Sequence, residues 1–245
     1  MQSSTFTEQI ARTENKNFVH SATLALVDDL IREAKPEEAR RLLLDLLRES
    51  TGDKLLAAVY HMAETECVAG NLYEALRLFT AHQPIADSSA DAFLVAKYHF
   101  GYATVCHLIY SRHGYESFAD RALEAYAGAS YFYAKAGAAD IAASAKNNEA
   151  LLLAEFGRTA EARVLLREAR ELFEGRPVKL AQVDMSEVEL CFAEGGKEVK
   201  AYWLATRAMA VFMEHEETRL INEATPTLQK ASADYIAAIN TTAAA

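Results

Sequence analysis

Apolar residues recur along this chain at helical spacing. From Ala162 they fall at Leu165, Leu166, Ala169, Leu172 and Phe173, steps of 3, 4, 7, 10 and 11. From Ala201 the same steps reach Leu204, Ala205, Ala208, Val211 and Phe212. Leu42, Leu43 and Leu46 follow Ala39 in phase, and Ala122, Leu123, Tyr126 and Ala129 follow Ala119. Each series is one apolar stripe of an amphipathic helix, and no comparable alternation of period two occurs.

Punctuation divides these stripes into units. Gly70, Gly114, Gly157 and Gly196 each stand five residues before an alanine (Ala75, Ala119, Ala162 and Ala201), and Ala34 stands five before Ala39. The glycine ends one helix in a left-handed turn, and the small alanine lets the next helix pack closely. The anchor alanines 39, 75, 119, 162 and 201 are separated by 36, 44, 43 and 39 residues, a period that signals stacked helix pairs. The spacing predicts helices at about 17–33 and 36–50, 53–69 and 71–82, 89–113 and 116–136, 138–156 and 158–174, 177–194 and 197–214, and then 216–240. "HQPIADSSAD", from His82 to Asp91, reads as the clearest loop.

The fold expected is therefore all-α: an α-solenoid of about five antiparallel helix pairs with a C-terminal capping helix. Residues 1–15 form an N-terminal segment, 16–214 the repeats, and 215–245 the cap, with a "TTAAA" end expected to fray.

Composition narrows the function classes. A net charge of −10 argues against direct nucleic-acid binding, which needs clustered Lys and Arg. No apolar run approaches the ~18–20 residues of a membrane span, and no secretory signal opens the chain. Cys67, Cys106 and Cys191 are odd in number and far apart, so a reducing, cytoplasmic setting is expected.

Motifs of catalysis and metal binding are not assembled. Tyr131 and Lys135 have the Tyr-x-x-x-Lys spacing of short-chain dehydrogenases but lack the preceding glycine-rich turn. His61 and Glu64 lie one turn apart with Glu66 nearby, but no Glu-x-x-His occurs, and His99, His107 and His113 lack the four-residue spacing of paired ligands. No P-loop, Gly-x-Ser-x-Gly or kinase signature is present. The expectation is a non-enzymatic protein with no metal and no cofactor. Trp203, off the main stripe, is expected to pack against the final helix, the alternative being a binding anchor.

"GNLYEALRLF" (Gly70–Phe79) and "GRTAEARVLLREA" (Gly157–Ala169) resemble the second helix of the tetratricopeptide repeat, and "KNNEALLLAEFG" resembles its first. The resemblance covers roughly residues 16–214, and departs from the family in lacking its tryptophan and in placing Glu189 where a small residue is usual. It implies that the first helix of each pair lines a concave face holding an extended peptide. Phase from each glycine then nominates Tyr60, His61, Asn147, Asn148, Ser186 and Glu187, with Glu64 one turn on, as peptide-binding residues. Amides can hold a peptide backbone, and the acidic lean suits a partner peptide or protein segment of basic character. Long, irregular repeats of this kind resemble those of bacterial peptide sensors and signalling adaptors, which implies the sensor or adaptor part of a regulatory system. The alternatives are a helical enzyme with a cavity inside the array and a homo-oligomerisation scaffold.

Overall fold

The computed structural model describes residues 2–243, with side chains from 17 to 241. The described residues form eleven helices and no strand: α1 (Gln2–Arg32), α2 (Pro36–Glu49), α3 (Gly52–Val68), α4 (Leu72–Ser88), α5 (Ala92–His113), α6 (Glu116–Lys135), α7 (Ala139–Glu155), α8 (Thr159–Leu172), α9 (Pro177–Glu194), α10 (Glu198–Glu214) and α11 (Thr218–Ala243). Two compact units divide at residue 122, the first holding α1–α5 and the start of α6, the second the rest of α6 and α7–α11.

The packing scheme is the same in each. In the first unit α1 meets α2 and α3, α3 meets α4 and α5, α2 meets α3, and α4 meets α5. In the second, α7 meets α8 and α9, α9 meets α10 and α11, α8 meets α9, and α10 meets α11. Odd-numbered helices thus form a continuous layer within each unit, and even-numbered helices back it. α11 joins that layer as the next odd member, closing the array as a capping helix.

All five anchor alanines are fully buried: Ala39, Ala75, Ala119, Ala162 and Ala201 each expose 0%. Ala162 shows why. It shares a core with Ala143, Ala150, Leu153 and Ala154 of α7, so its methyl lies at the helix–helix contact where a longer side chain has no room. Leu166, Ala169 and Phe173 continue the same stripe into that core.

The turns are built alike. At Gly70 (φ 82°) the glycine N–H donates to Cys67 and the Asn71 N–H reaches back five residues to Glu66 at 2.8 Å. Gly157 (φ 69°) repeats this, with Arg158 donating to Leu153 at 2.9 Å. These are Schellman stops, in which a left-handed residue lets the chain satisfy the last helical carbonyls. Ala34 (φ 54°) and Glu216 (φ 55°) occupy the same position without being glycine.

Charged clamps reinforce the units. In the first, the buried Glu66 carboxylate accepts from Arg40 of α2 at 2.8 and 3.0 Å and from the Asn71 amide at 2.8 Å, tying helix, turn and neighbour together. Burial alone would raise its pKa, but Arg40 and Asn71 hold the carboxyl below its usual range. In the second, buried Asp184 of α9 accepts from Arg170 of α8 at 2.8 Å and from Arg207 of α10 at 2.7 Å through both nitrogens.

Three expectations need correction. The loop placed at His82–Asp91 is mostly helix: α4 continues through Pro84 to Ser88. A proline inside a helix costs about 3 kcal/mol, and here the extension buries Ala86 and packs Ile85 on the core. The break is confined to residues 89–91, where the Asp91 carboxylate caps α5 by accepting from the Phe93 and Leu94 N–H groups at 3.0 and 3.1 Å. α1 begins at Gln2 rather than near 17, since neither glycine nor proline interrupts the chain before Pro36. The side chains of residues 2–16 lie outside those described, as do residues 244–245 of the alanine-rich end. Trp203, expected to be buried against the last helix, is 63% exposed. Two residues past Ala201 it points about 200° around α10 from the buried stripe. Its neighbour Tyr202 makes the contact instead, stacking on Tyr235 of α11 with ring centroids 4.6 Å apart.

Candidate functional site

The odd-numbered layer carries two polar features, one in each unit. In the first unit α3 presents Tyr60, His61 and Glu64 between α1 and α5. The Tyr60 hydroxyl donates to Glu64 Oε1 at 2.7 Å, locking the carboxylate one turn away. Lys97 of α5 places its ammonium 4.3 Å from the Tyr60 ring centroid, a cation–π contact. His61 is buried, and Asp28 of α1 brings Oδ1 to 3.0 Å from its Nδ1. That oxygen lies out of line with the ring N–H, so Nδ1 has no hydrogen-bond partner.

Electrostatics follow from this crowding. Burial, with Lys97 adding to it, pushes the His61 pKa down to about 4 against a weaker pull from Asp28. Burial raises the Glu64 carboxyl even though 37% of its side chain stays open to solvent, while the Tyr60 hydrogen bond opposes the rise. The Cys67 thiol is pushed up to about 12 by burial and by Glu64 and Glu66. Burial pushes Cys106 up to about 11. These thiols stay protonated, the reverse of what an activated nucleophile requires.

In the second unit the sequence-expected residues separate. A cavity of about 220 Å³ is lined by residues of α7, α9, α10 and α11. Its apolar lining is Leu151, Met185, Phe212, Leu220 and Ala224, and its polar lining is Gln182, Ser186, Glu189, Glu223 and Thr227. Ser186 is the one nominated residue among these, its hydroxyl donating to the Gln182 carbonyl at 3.3 Å. Glu189 accepts from Thr227 at 3.1 Å across the α9–α11 contact. Asn147 and Asn148 are half-buried on α7 and do not line the cavity, and Asn147 Oδ1 is shielded without a hydrogen-bond partner. Glu187 turns to Arg170 at 3.2 Å and belongs to the Asp184 clamp.

Some participants escaped the sequence reading. Asp28 stands six residues before Ala34 just as Glu64 stands six before Gly70, so the repeat phase itself pointed to it. Glu189 was visible as an acid in a place the repeat usually gives to a small residue. Lys97 and Glu223 carried no signal, because their relevance arises only from helix contacts.

The fold is shared with proteins of known structure. The chain is similar to a candidate kinesin light chain of Podosopora anserina with nearly identical TPR-like repeats, at 14% identity and a TM-score of 0.61, over 80% of this chain and 96% of that one. It is also similar to BtubC (BKLC) from P. vanneervenii, at 19% identity and a TM-score of 0.53, over 92% of this chain and 91% of that one. No protein-family model and no curated protein sequence matches the chain. The architecture is thus a TPR-like all-α solenoid. Among the described residues no helix is long and apolar enough to cross a membrane.

Proposed function

We propose that this protein is a non-enzymatic, cytoplasmic binding scaffold that takes an extended peptide segment with basic character along its odd-numbered helices. The observation that carries this reading is the cavity beside Ser186. At about 220 Å³ it is smaller than the ~300–1,000 Å³ of a small-molecule site and suits one long side chain. A lysine or arginine entering it would lay its methylene stem on Met185 and Phe212 and bring its charge to Glu189 and Glu223. Asn148 and Asn147 supply amides for the peptide backbone, and within the first unit Tyr60 and Glu64, with His61 buried beside them, form a separate polar feature. Glu187 serves the frame, since Arg170 already engages it.

The test is peptide selection on the full chain from a random displayed library. Enriched sequences are expected to carry Lys or Arg, and their affinity should fall with salt. Glu189→Lys and Ser186→Trp, each retaining wild-type helicity, should weaken the selected peptides by at least about tenfold. Peptides without basic residues, or unchanged affinity in both variants, would overturn the reading. Light scattering at the working concentration separates self-assembly from ligand binding.

A further inference from the structure

Asp28, His61 and Glu64 each offer one donor atom, and the three atoms lie within 4.8 Å of one another. Two separations are short: His61 Nδ1 to Asp28 Oδ1 is 3.0 Å, and to Glu64 Oε2 is 3.6 Å. Metal–ligand bonds of about 2.1 Å at octahedral to tetrahedral angles put neighbouring ligand atoms about 3.0–3.4 Å apart; the His61–Asp28 pair lies in that range and the His61–Glu64 pair just outside it. The approach of Asp28 agrees. In such a shell the nitrogen lone pair points at the ion and the neighbouring oxygen sits well off that axis, as Asp28 Oδ1 does.

An independent observation marks the site. His61 is 4% exposed, and its Nδ1 has no hydrogen-bond partner. An unsatisfied buried polar atom costs about 1–3 kcal/mol, and a bound ion would remove that cost. Glu64 is prepared on the other side. Tyr60 donates to Oε1, which leaves Oε2, the oxygen nearer His61, as the free donor. We propose that Asp28, His61 and Glu64 bind a divalent transition-metal ion, zinc being the type case, through Nδ1 of the imidazole and one oxygen of each carboxylate.

The chemistry of the donors selects the class. An imidazole with two carboxylates favours zinc, nickel or cobalt over magnesium and calcium, which take oxygen-only shells. The Asp28 and Glu64 side chains keep 43% and 37% of their surface open, which gives an entry path and leaves the remaining coordination positions to water. Lys97 works against the ion, since its ammonium sits beside Tyr60. The ligands come from the fold of the first unit alone, and none of them lines the Ser186 cavity that carries the peptide reading.

Chelator-treated full-length protein should be titrated with zinc chloride by calorimetry, and with cobalt by visible absorption, which reports N/O ligation directly. Wild type is expected to take up one equivalent that a large excess of magnesium does not displace. Asp28→Asn and Glu64→Gln should each weaken uptake by at least about tenfold, and Lys97→Met should tighten it. Both carboxylate positions are partly open, so these variants are expected to keep wild-type helicity. If Asp28→Asn fails to fold, Glu64→Gln alone decides. Absence of saturable one-equivalent binding, or unchanged affinity in the folded carboxylate variants, would overturn the proposal.

Discussion

Gly101 of α5 stands so close to Phe79 of α4 that a Cβ on the glycine would lie 2.6 Å from the ring's Cζ. The ring has nowhere to go. Phe79 is 1% exposed and meets Tyr98 edge-on at 5.3 Å, while the Tyr98 hydroxyl donates to the Phe79 carbonyl at 2.7 Å.

Gly101→Ala therefore sets two effects against each other. Alanine gains about 1 kcal/mol over glycine in a helix interior, whereas overpacking a filled core costs about 1–3 kcal/mol. The clash wins because the obstructing atom belongs to an immobilised ring. Denaturant unfolding should show a net loss of about 1 kcal/mol, and a gain would mean that Phe79 can retreat.

Ala34→Gly is expected to do the opposite. Ala34 holds φ 54° at the end of α1, with Lys35 donating back to Leu30 at 2.8 Å, and its side chain is exposed. A left-handed alanine costs about 1–2 kcal/mol, part of which glycine returns through its freer unfolded chain. A rise in Tm of a few degrees checks this, and the same change at a right-handed exposed alanine should lower it.

Ala162→Leu should destabilise the second unit by about 1–3 kcal/mol, because the methyl at 0% exposure already fills its contact with α7. An unchanged melting midpoint would place the alanine away from the helix contact.

Acid should loosen the end of α9. Hydrogen bonds from Lys197 and Arg163 hold the Glu194 carboxyl below its ordinary value of 4.5. Its folded pKa lies below the unfolded one, so the stabilisation is complete above about pH 4.5 and is lost as pH falls through the folded value. Both cations are more than a third exposed, so the effect should stay below about 1 kcal/mol. Glu194→Gln should flatten the pH dependence of stability below pH 4.5 and leave it unchanged at pH 7.

Much of the architecture was legible in the chain because a solenoid is written locally. The pairing of Gly157 with Ala162 specifies a turn and a tight contact within a few residues, and every such contact predicted for the five anchor alanines is buried. Where a property depends on contact between helices, sequence was silent. Pro84 reads as a break until Ala86 is seen to be buried beyond it. Trp203 reads as an interior residue until the angle around α10 is measured from Ala201. The polar positions divide in the same way. Phase placed Tyr60, His61 and Glu64 on one helix and Ser186 on the first helix of its own pair. It could not show that Arg170 engages Glu187, nor that Asp28 of α1 meets His61 of α3.

The neighbour-to-neighbour scheme of the helices also has a kinetic meaning. α1 touches α2 and α3, and α9 touches α10 and α11, so the observed contacts close only short stretches of chain. Loop closure costs little over such distances, and low contact order goes with rapid folding, on the order of microseconds to milliseconds for helical domains. Because each of these helices docks on the one or two before it in its own unit, a nascent unit can begin ordering as soon as its first three helices have been synthesised.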